Sequence, residues 1–392
     1  MLGIIKFELK KFIKDKKNYL LIILFIILSF TIIREDKNFF NNEIKVLKMN
    51  LDIKNELINS YKSDLDTSIK EISAETKLIK ERYLKKTIKE KEIVENILDG
   101  LENKRYDKYY KNKIAYREND IKSLSSPELF SNRILPNAIS EEKNQINILK
   151  QLSDKKISLI DIRKSNEGFN FIRRLLNEKF LLIIIVFILL IASPIFSSEY
   201  DNKTNKLLFT QSLSKNKIFL GKFISIMIIN ISVIFSILLI NFIYMGIKNG
   251  FGTLEYVLQG FRNYKIVTMS MKTYILYELF LLFLIILLIS AMASLISCIF
   301  NNIGICIFAN FAITGALYMF TKQKYLLKFN AFNVFEYLDI NRVVEGIPWR
   351  TSGHQAKPPE FVTIENGMMY FTIISIILLV IGLLYFNKKE AK

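Results

Sequence analysis

Five long stretches of the chain contain no charged residue, and the segments between them are rich in charge. The charge-free stretches contain 16, 19, 25, 43 and 22 residues and occupy 18–33, 180–198, 223–247, 279–321 and 366–387. A helix needs about 20 apolar residues, with a range of roughly 17 to 25, to cross a bilayer. The 43-residue stretch is long enough for two crossings, with a turn at Asn301 and Asn302. The pattern therefore predicts six transmembrane helices.

Residues 1–17 predict an amphipathic interfacial helix that leads into the first span. Its apolar face comprises Leu2, Ile5, Leu9, Phe12 and Ile13. A plain basic flank on the inner side of a span would account for the lysines equally well, and the two interpretations are compatible. A cleaved signal peptide is disfavoured, because the basic region is long and no small-x-small cleavage pattern follows residue 33.

The long polar segment 34–178 predicts a helical, coiled-coil-like domain between the first and second spans. Apolar residues recur every seventh position at Leu51, Ile58, Leu65, Ile72 and Ile79. This spacing is typical of coiled coils, so we expect one long helix over 42–98, a turn at Asp99-Gly100 and an antiparallel return. Two roles remain open for the domain: it handles substrate or binds a partner, or it is a stalk that joins two spans.

The complete pattern predicts an all-α integral membrane protein with six transmembrane helices and a large extracytoplasmic domain. Lys and Arg number fourteen in the short segments assigned to the inside and ten in those assigned outside, which favours cytoplasmic termini. The expected segments are 1–17 (interfacial helix), 18–33 (first span), 34–178 (extracytoplasmic), 179–198 (second span), 199–222 (cytoplasmic loop), 223–321 (spans three to five), 322–367 (extracytoplasmic loop) and 368–392 (sixth span and tail).

Within the spans, Glu278 is the ionisable residue that invites a functional interpretation, because charged groups are expensive inside a membrane. It lies near Lys272, at the start of the fourth span, so an interfacial position accounts for it as well. Asn230, Asn241 and Asn310 also lie within spans. Hydrogen bonding between helices accounts for such residues more often than ligand binding does.

Composition narrows the class of protein. The chain is 51% hydrophobic and 23% charged, which suits segregation into membrane and aqueous parts. The formal net charge of +18 does not indicate nucleic-acid binding, because the basic residues are dispersed and interleaved with acids; it suits contact with anionic lipid headgroups. No Gly-x4-Gly-Lys-Ser/Thr, His-Glu-x-x-His or Gly-x-Ser-x-Gly pattern occurs. We therefore expect no enzymatic activity, bound cofactor or metal.

The loop after the second span carries the most specific pattern. Glu199 is followed after four residues by Thr204, then by Leu207-Leu208, Leu213-Ser214-Lys215 and finally Gly221-Lys222. This order resembles the loop after the second span of ABC-2 type transporter permeases, although Asn202-Lys203 stands where glycine is common and Leu213 replaces a usual Pro-x. The sequence Phe-Glu-Leu-Lys-Lys before the first span, at 7–11, is also similar to this family.

The resemblance implies a permease subunit of an ATP-binding cassette exporter in the bacterial plasma membrane. It implies two cytoplasmic ATPase subunits and a second permease copy or paralogue as partners. In the family this loop is the coupling helix seated on the ATPase, which assigns ATPase coupling to Glu199, Thr204, Lys206, Leu207, Leu208, Phe209 and Lys215. The resemblance covers roughly 245 residues and leaves out 34–178.

The substrate is expected to be hydrophobic or amphipathic, and an antimicrobial peptide, exported or expelled for self-protection, is the preferred candidate. Tyr106, Tyr109, Tyr110 and Tyr116 in the polar domain could shelter such a peptide. The alternative is an ATPase-independent scaffold or receptor with a coiled-coil ectodomain. A sensor is disfavoured, because no inner segment is long enough for an output domain.

Overall fold

The computed structural model describes residues 1–31, 39–67, 74–124, 135–159, 165–204, 213–262, 265–321, 333–346 and 362–389. The chain forms two compact units. The first unit comprises Met1–Arg34, Asn166–Gly252 and Lys272–Lys392. The second unit comprises Glu35–Ser165 and Thr253–Met271.

The first unit contains the apolar helices. Within the described residues, five helical segments are long and apolar enough to cross a membrane: Glu178–Asp201, Lys215–Asn249, Met271–Ile299, Ile303–Thr321 and Ile364–Lys388. The first of these consists of α8 (Glu178–Ala192) and α9 (Pro194–Asp201). The other four are α10 (Lys215–Asn249), α11 (Met271–Ile299), α12 (Ile303–Thr321) and α14 (Ile364–Lys388). The predicted first span corresponds to α2 (Lys16–Thr31), whose 16 residues extend only about 24 Å. Five of the six predicted spans thus meet the criterion of length and apolar composition, and the first span, α2, stays a prediction.

Short helices complete the first unit. They are α1 (Leu2–Lys14), α7 (Gly168–Leu175), a 3-10 helix (Val334–Leu338) and α13 (Ile340–Glu345). The predicted polar domain therefore ends earlier than residue 178, since α7 belongs to the first unit and packs on α10. The helix turn predicted at Asn301 and Asn302 is confirmed, because α11 ends at Ile299 and α12 begins at Ile303.

Polar side chains connect the helices of the first unit. Asn241 Nδ2 donates to Ser29 Oγ at 2.9 Å, which joins α10 to α2, and Asn230 Nδ2 donates to Ser290 Oγ at 3.0 Å, which joins α10 to α11. The predicted role between helices is therefore correct for these two asparagines. For Asn310 it stays a prediction, since the described contact of its amide is with the Cys306 carbonyl of its own helix.

The second unit is a bundle of four long helices in antiparallel succession. They are α3 (Phe39–Thr67), α4 (Ala74–Glu102), α5 (Tyr106–Leu124) and α6 (Leu135–Asp154). The single helix predicted over 42–98 is wrong, because α3 and α4 are separate helices that pack on each other. The ion pair from Lys54 Nζ to Glu90 Oε2, at 2.6 Å, and the stacked rings of Tyr61 and Tyr83 join them.

The turn that the sequence indicated at Asp99-Gly100 lies a few residues later, between α4 and α5. Gly100 is still helical, and a Cβ there would lie 2.7 Å from the Tyr109 backbone nitrogen, so the glycine allows the two helices to approach. The Asp99 carboxylate accepts hydrogen bonds from Asn103, Arg105 and Lys108. These bonds lower the pKa of Asp99 to about 2.

The second unit also contains a β-hairpin, although the described residues are mostly helical, as the all-α prediction requires. Its strands β1 (Val257–Arg262) and β2 (Lys265–Ser270) pair antiparallel, with Val257 opposite Ser270. The hairpin packs on α6, where Gln145 Nε2 donates to Gln259 Oε1 at 2.5 Å.

Candidate functional site

A buried lysine joins three helices of the first unit. Lys222, on α10, is only 1% exposed. Its Nζ lies 2.5 Å from Oε1 of Glu8 on α1 and 2.9 Å from Oε1 of Glu199 on α9. It also donates to the Ile195 carbonyl at 3.2 Å. Three acceptors satisfy the three donors of the ammonium, as burial of a charge requires.

The charges of this ion-pair cluster balance. Lys11 Nζ, on α1, lies 3.4 Å from Glu199 Oε1, so two lysines face the two carboxylates Glu8 and Glu199. Lys11 is half exposed, whereas the two acids are buried. Since the acids lie on separate helices and share Lys222, α10 holds α1 and α9 together from inside the protein, and the contact of Lys11 with Glu199 adds a weaker link near the surface.

The Glu-x4-Thr pattern closes the end of α9. Thr204 N donates to the Glu199 carbonyl at 2.8 Å, and its hydroxyl donates to Glu199 Oε2. Lys203 adopts the left-handed conformation, with φ of 58°, that ends many helices. The threonine therefore serves two purposes, because it caps the helix and orients the carboxylate toward Lys222.

An apolar cluster lies next to the ion pairs. Ile4 of α1 packs against Gly221, where an added Cβ would lie 3.1 Å from Ile4 Cγ2. Ile4 belongs to a core cluster with Phe196 on α9, Phe219 on α10 and Phe386 on α14. The absent side chain at residue 221 thus brings α1 close enough for Glu8, one turn after Ile4, to reach Lys222.

The break between α8 and α9 places Glu199. Pro194 occupies the first turn of α9, and the backbone nitrogens of Phe196 and Ser197 both donate to Ser297 Oγ at 3.0 Å. Ser297 in turn donates to the Ser193 carbonyl. The hydroxyl from α11 therefore satisfies backbone groups that a helix start leaves without partners.

The far side of the loop is fixed to the end of the last helix. Lys215 Nζ donates to the carbonyls of Asn387 and Lys389, at 2.9 Å each, and so caps α14. Lys389 Nζ donates to the Cys298 carbonyl at 2.6 Å and lies 3.9 Å from the centre of the Tyr200 ring. Burial lowers the pKa of the Lys389 ammonium.

The structure brings together some of the residues that the sequence proposed. Glu199 and Thr204 are in direct contact, and Lys215 lies against a different element, the end of α14. Lys206, Leu207, Leu208 and Phe209 lie outside the described residues. Sequence reasoning missed Glu8 and Lys222 as site residues; the signal was available, since Glu8 is the only acid in α1.

Glu278 lies in a second buried cluster of the first unit. It is fully buried on α11, one turn after Tyr274. The Tyr274 hydroxyl lies 3.2 Å from both the Asn341 carbonyl and Glu345 Oε1. Arg173 of α7 pairs with Glu345 of α13, and its guanidinium lies 5.0 Å from the Tyr274 ring centre. The protein itself encloses Glu278, whose side chain is 0% exposed; both its functional role and its interfacial position stay predictions.

Within the part of the chain that the structure describes, α1, α9 and α10 meet at Lys222 through direct polar contacts. In this part of the chain no group of three or more His, Cys, Asp or Glu side chains could hold a metal ion. Searches of curated proteins and of solved structures each found no match. The family "ABC-2 family transporter protein" matches residues 2–391. This range includes the polar segment 34–178, which the resemblance seen in the sequence had left out. The chain thus belongs to the ABC-2 family of transporter proteins.

Proposed function

We propose that this chain is the permease subunit of an ATP-binding cassette exporter and that residues 199–217 couple it to a separate ATPase. The loop and both termini then face the cytoplasm of a bacterial cell, and the second unit faces outward. A second permease copy or paralogue and two ATPase subunits complete the transporter. Membership of the ABC-2 family supports this assignment over an ATPase-independent scaffold.

The observation that carries the proposal is the fixation of the loop at both of its described ends. Thr204 is tied through Glu199 to Lys222, and hence to α1 and α10. Lys215 is tied to the end of α14. A force applied to residues 205–212 therefore reaches α1, α9, α10 and α14 through direct polar contacts. This is the mechanical property that a coupling loop requires.

The coupling claim is tested with Leu208→Asp, which places a charge where an apolar contact with the ATPase is proposed. The matched control is Gln211→Asp, which adds the same charge to a polar position of the same loop. Tagged chains are purified in mild detergent from the native membrane, and co-purified ATPase is quantified by mass spectrometry. We expect loss of the ATPase with Leu208→Asp and retention with Gln211→Asp. Wild-type yields of ATPase with both variants would refute the coupling role.

We propose an amphipathic peptide as the substrate. Two of the four tyrosines that the sequence suggested for this role do not support it, because Tyr109 and Tyr110 are buried and their hydroxyls bond to Glu43 and to the Ile157 carbonyl. Support comes instead from α3, where four apolar side chains with 42–57% exposure share one face: Val46, Met49, Ile53 and Leu57. Their spacing of three, four and four residues forms a continuous stripe about 17 Å long.

The substrate proposal is tested with Met49→Ser/Ile53→Ser, which removes the centre of the α3 stripe. Asn59→Ser, at an exposed polar position of the same helix, is the control. Efflux of a labelled amphipathic peptide is measured in cells that contain the transporter. We expect reduced peptide efflux with an unchanged amount of bound ATPase in the double variant. Unchanged efflux would exclude the stripe as a peptide contact, and a change in the oligomeric state would assign it to a second copy of the chain.

A further inference from the structure

The cluster around Glu278 contains more carboxylates than cations. Glu278 on α11 and Glu345 on α13 face one guanidinium, that of Arg173 on α7. Among the described residues, Tyr274 is the remaining titratable group that acts on Glu278, and it lies on the same helix. With every group in its usual ionised form, the cluster would hold one uncompensated negative charge.

Arg173 is engaged with Glu345. It forms an ion pair with the Glu345 carboxylate, which also lies 3.2 Å from the Tyr274 hydroxyl. Glu345 is partly accessible to water, since its side chain is 16% exposed, whereas Glu278 is completely enclosed. The more exposed carboxylate thus holds the cation, and the more buried one is left with the excess charge.

Neither carboxyl oxygen of Glu278 makes a hydrogen bond of normal geometry with a residue that the structure describes. The Tyr274 hydroxyl, one turn earlier, is a donor that acts on Glu278, but it already bonds to Glu345 and to the Asn341 carbonyl. An ionised carboxylate that is enclosed and receives no hydrogen bonds is strongly disfavoured, and such a group neutralises instead. A metal ion is a poor source of that neutralisation, because the described residues provide no set of three carboxylate, thiol or imidazole ligands. A proton needs no further ligands.

We propose that Glu278 is a proton-binding site, occupied in this conformation and emptied when Arg173 changes partner. In the structure Glu278 is a neutral carboxylic acid while Arg173 pairs with Glu345. If α13 moves and Arg173 leaves Glu345 for Glu278, the O–H bond of Glu278 breaks and its proton passes to water. The Glu345 carboxylate, which already has access to water, then becomes solvated, and the number of charges paired within the protein is unchanged.

This exchange predicts opposite effects for the two partners of Arg173. Glu345→Gln removes the competing carboxylate, so Arg173 is available to Glu278 and stabilises its ionised form. Arg173→Gln removes the cation, so the neutral form of Glu278 persists to higher pH. An opposite charge at contact distance shifts such a titration by about one to three pH units.

The test is infrared spectroscopy of the purified full-length chain in lipid membranes as a function of pH. We expect a protonated-carboxyl band at neutral pH in the wild type, absent from Glu278→Gln. Its titration should move to lower pH in Glu345→Gln and to higher pH in Arg173→Gln. An ionised Glu278 would leave no such band to titrate.

Two results would overturn the proposal. One is a wild-type spectrum without a protonated carboxyl at neutral pH, a measurement that needs no variant to fold. The other is a band that Glu278→Gln retains, since the proton would then belong to another residue. Neither outcome depends on the ATPase, so failure here is distinguishable from failure of the proposed transport function.

Discussion

Replacement of Lys222 by methionine should be among the most damaging single changes in the first unit. Methionine has a similar length and fills the space of the lysine stem, so the change removes the charge with little loss of packing. The variant leaves Glu8 and Glu199, which are 5% and 9% exposed, without their shared cation. Among the described ion pairs, that of Lys11 with Glu199, at 3.4 Å, is the one that remains to them.

The expected loss follows from the burial of the groups that remain. Removal of one partner from a buried ion pair costs about 3–5 kcal/mol, because a charge is left in a poorly solvated place. We therefore expect the equilibrium constant for unfolding to rise at least about a hundredfold. Lys91→Met is the matched control: Lys91 pairs with Glu95 on the surface of α4, and such pairs contribute only about 0.3–0.5 kcal/mol.

The assay is unfolding by sodium dodecyl sulfate in mixed micelles, followed by far-ultraviolet circular dichroism. A second substitution, Glu8→Gln, provides the sharper measurement, because Lys222→Met/Glu8→Gln restores a balance of one acid and one lysine. The loss in free energy of unfolding of the double variant should therefore be smaller than the sum of the losses of the two single variants. The difference, which is the coupling energy, should be about 0.5–3 kcal/mol. A loss below about 1 kcal/mol for Lys222→Met, or strict additivity, would refute the shared ion pair as a source of stability.

Three further predictions concern the surroundings of the site and the second unit. Ser297→Ala should lower the free energy of unfolding by about 1–3 kcal/mol, since two buried backbone nitrogens lose their acceptor. Its control is Ser294→Ala, at an equally buried hydroxyl that has no partner among the described residues. That variant should be neutral or stabilising in the same unfolding assay. Gly221→Ala should lower the free energy of unfolding by about 1–3 kcal/mol, because the added methyl group pushes α1 away from α10. Gly3→Ala should stabilise α1 by up to about 1 kcal/mol, since a Cβ at residue 3 would have nothing within 4 Å. Equal effects of the two substitutions on unfolding would contradict the close contact at Gly221. The pKa of Asp99 is lowered from 3.8 to about 2 in the folded protein, so its ionised form stabilises the fold above about pH 4. This stabilisation is lost as the pH falls toward about 2. Asp99→Asn should lack that acid-dependent loss of stability in thermal denaturation followed by circular dichroism.

The spans could be predicted because a helix that crosses a bilayer must avoid charge over about 20 residues, whereas the surface helices of a water-soluble fold carry charge every few positions. The heptad in the second unit was less informative. Its spacing indicates a helix with one apolar face and does not indicate where the chain reverses, and the sequence between Thr67 and Ala74 contains neither glycine nor proline. The β-hairpin was missed because its strands are specified by pairing with each other and by packing on α6, which local pattern does not reveal.

The candidate site shows the same limit at the level of single residues. Glu199 and Thr204 were predicted because they are five residues apart and belong to a recognisable pattern. Glu8 is conspicuous as the only acid in α1, but it is separated from Lys222 by 214 residues, so the local sequence marks the residue without identifying its partner. Helix α1 illustrates the reason: its expected apolar face includes Leu2, which is 81% exposed, while Ile4 and Glu8 form the face that packs on the protein.

The wide separation of Glu8 and Lys222 also has a consequence in time. The ribosome produces Glu8 first and Lys222 214 residues later, an interval of about 10–40 s at synthesis rates of about 5–20 residues per second. Glu199 also precedes Lys222, so both acids exist before the cation that neutralises them. Until Lys222 is made, the two carboxylates lack their shared partner, and α1 can complete its contacts with α10 only after that helix has been synthesised. The joint between α1, α9 and α10 is therefore a late event in the assembly of the protein, although α1 is the first helix to be made.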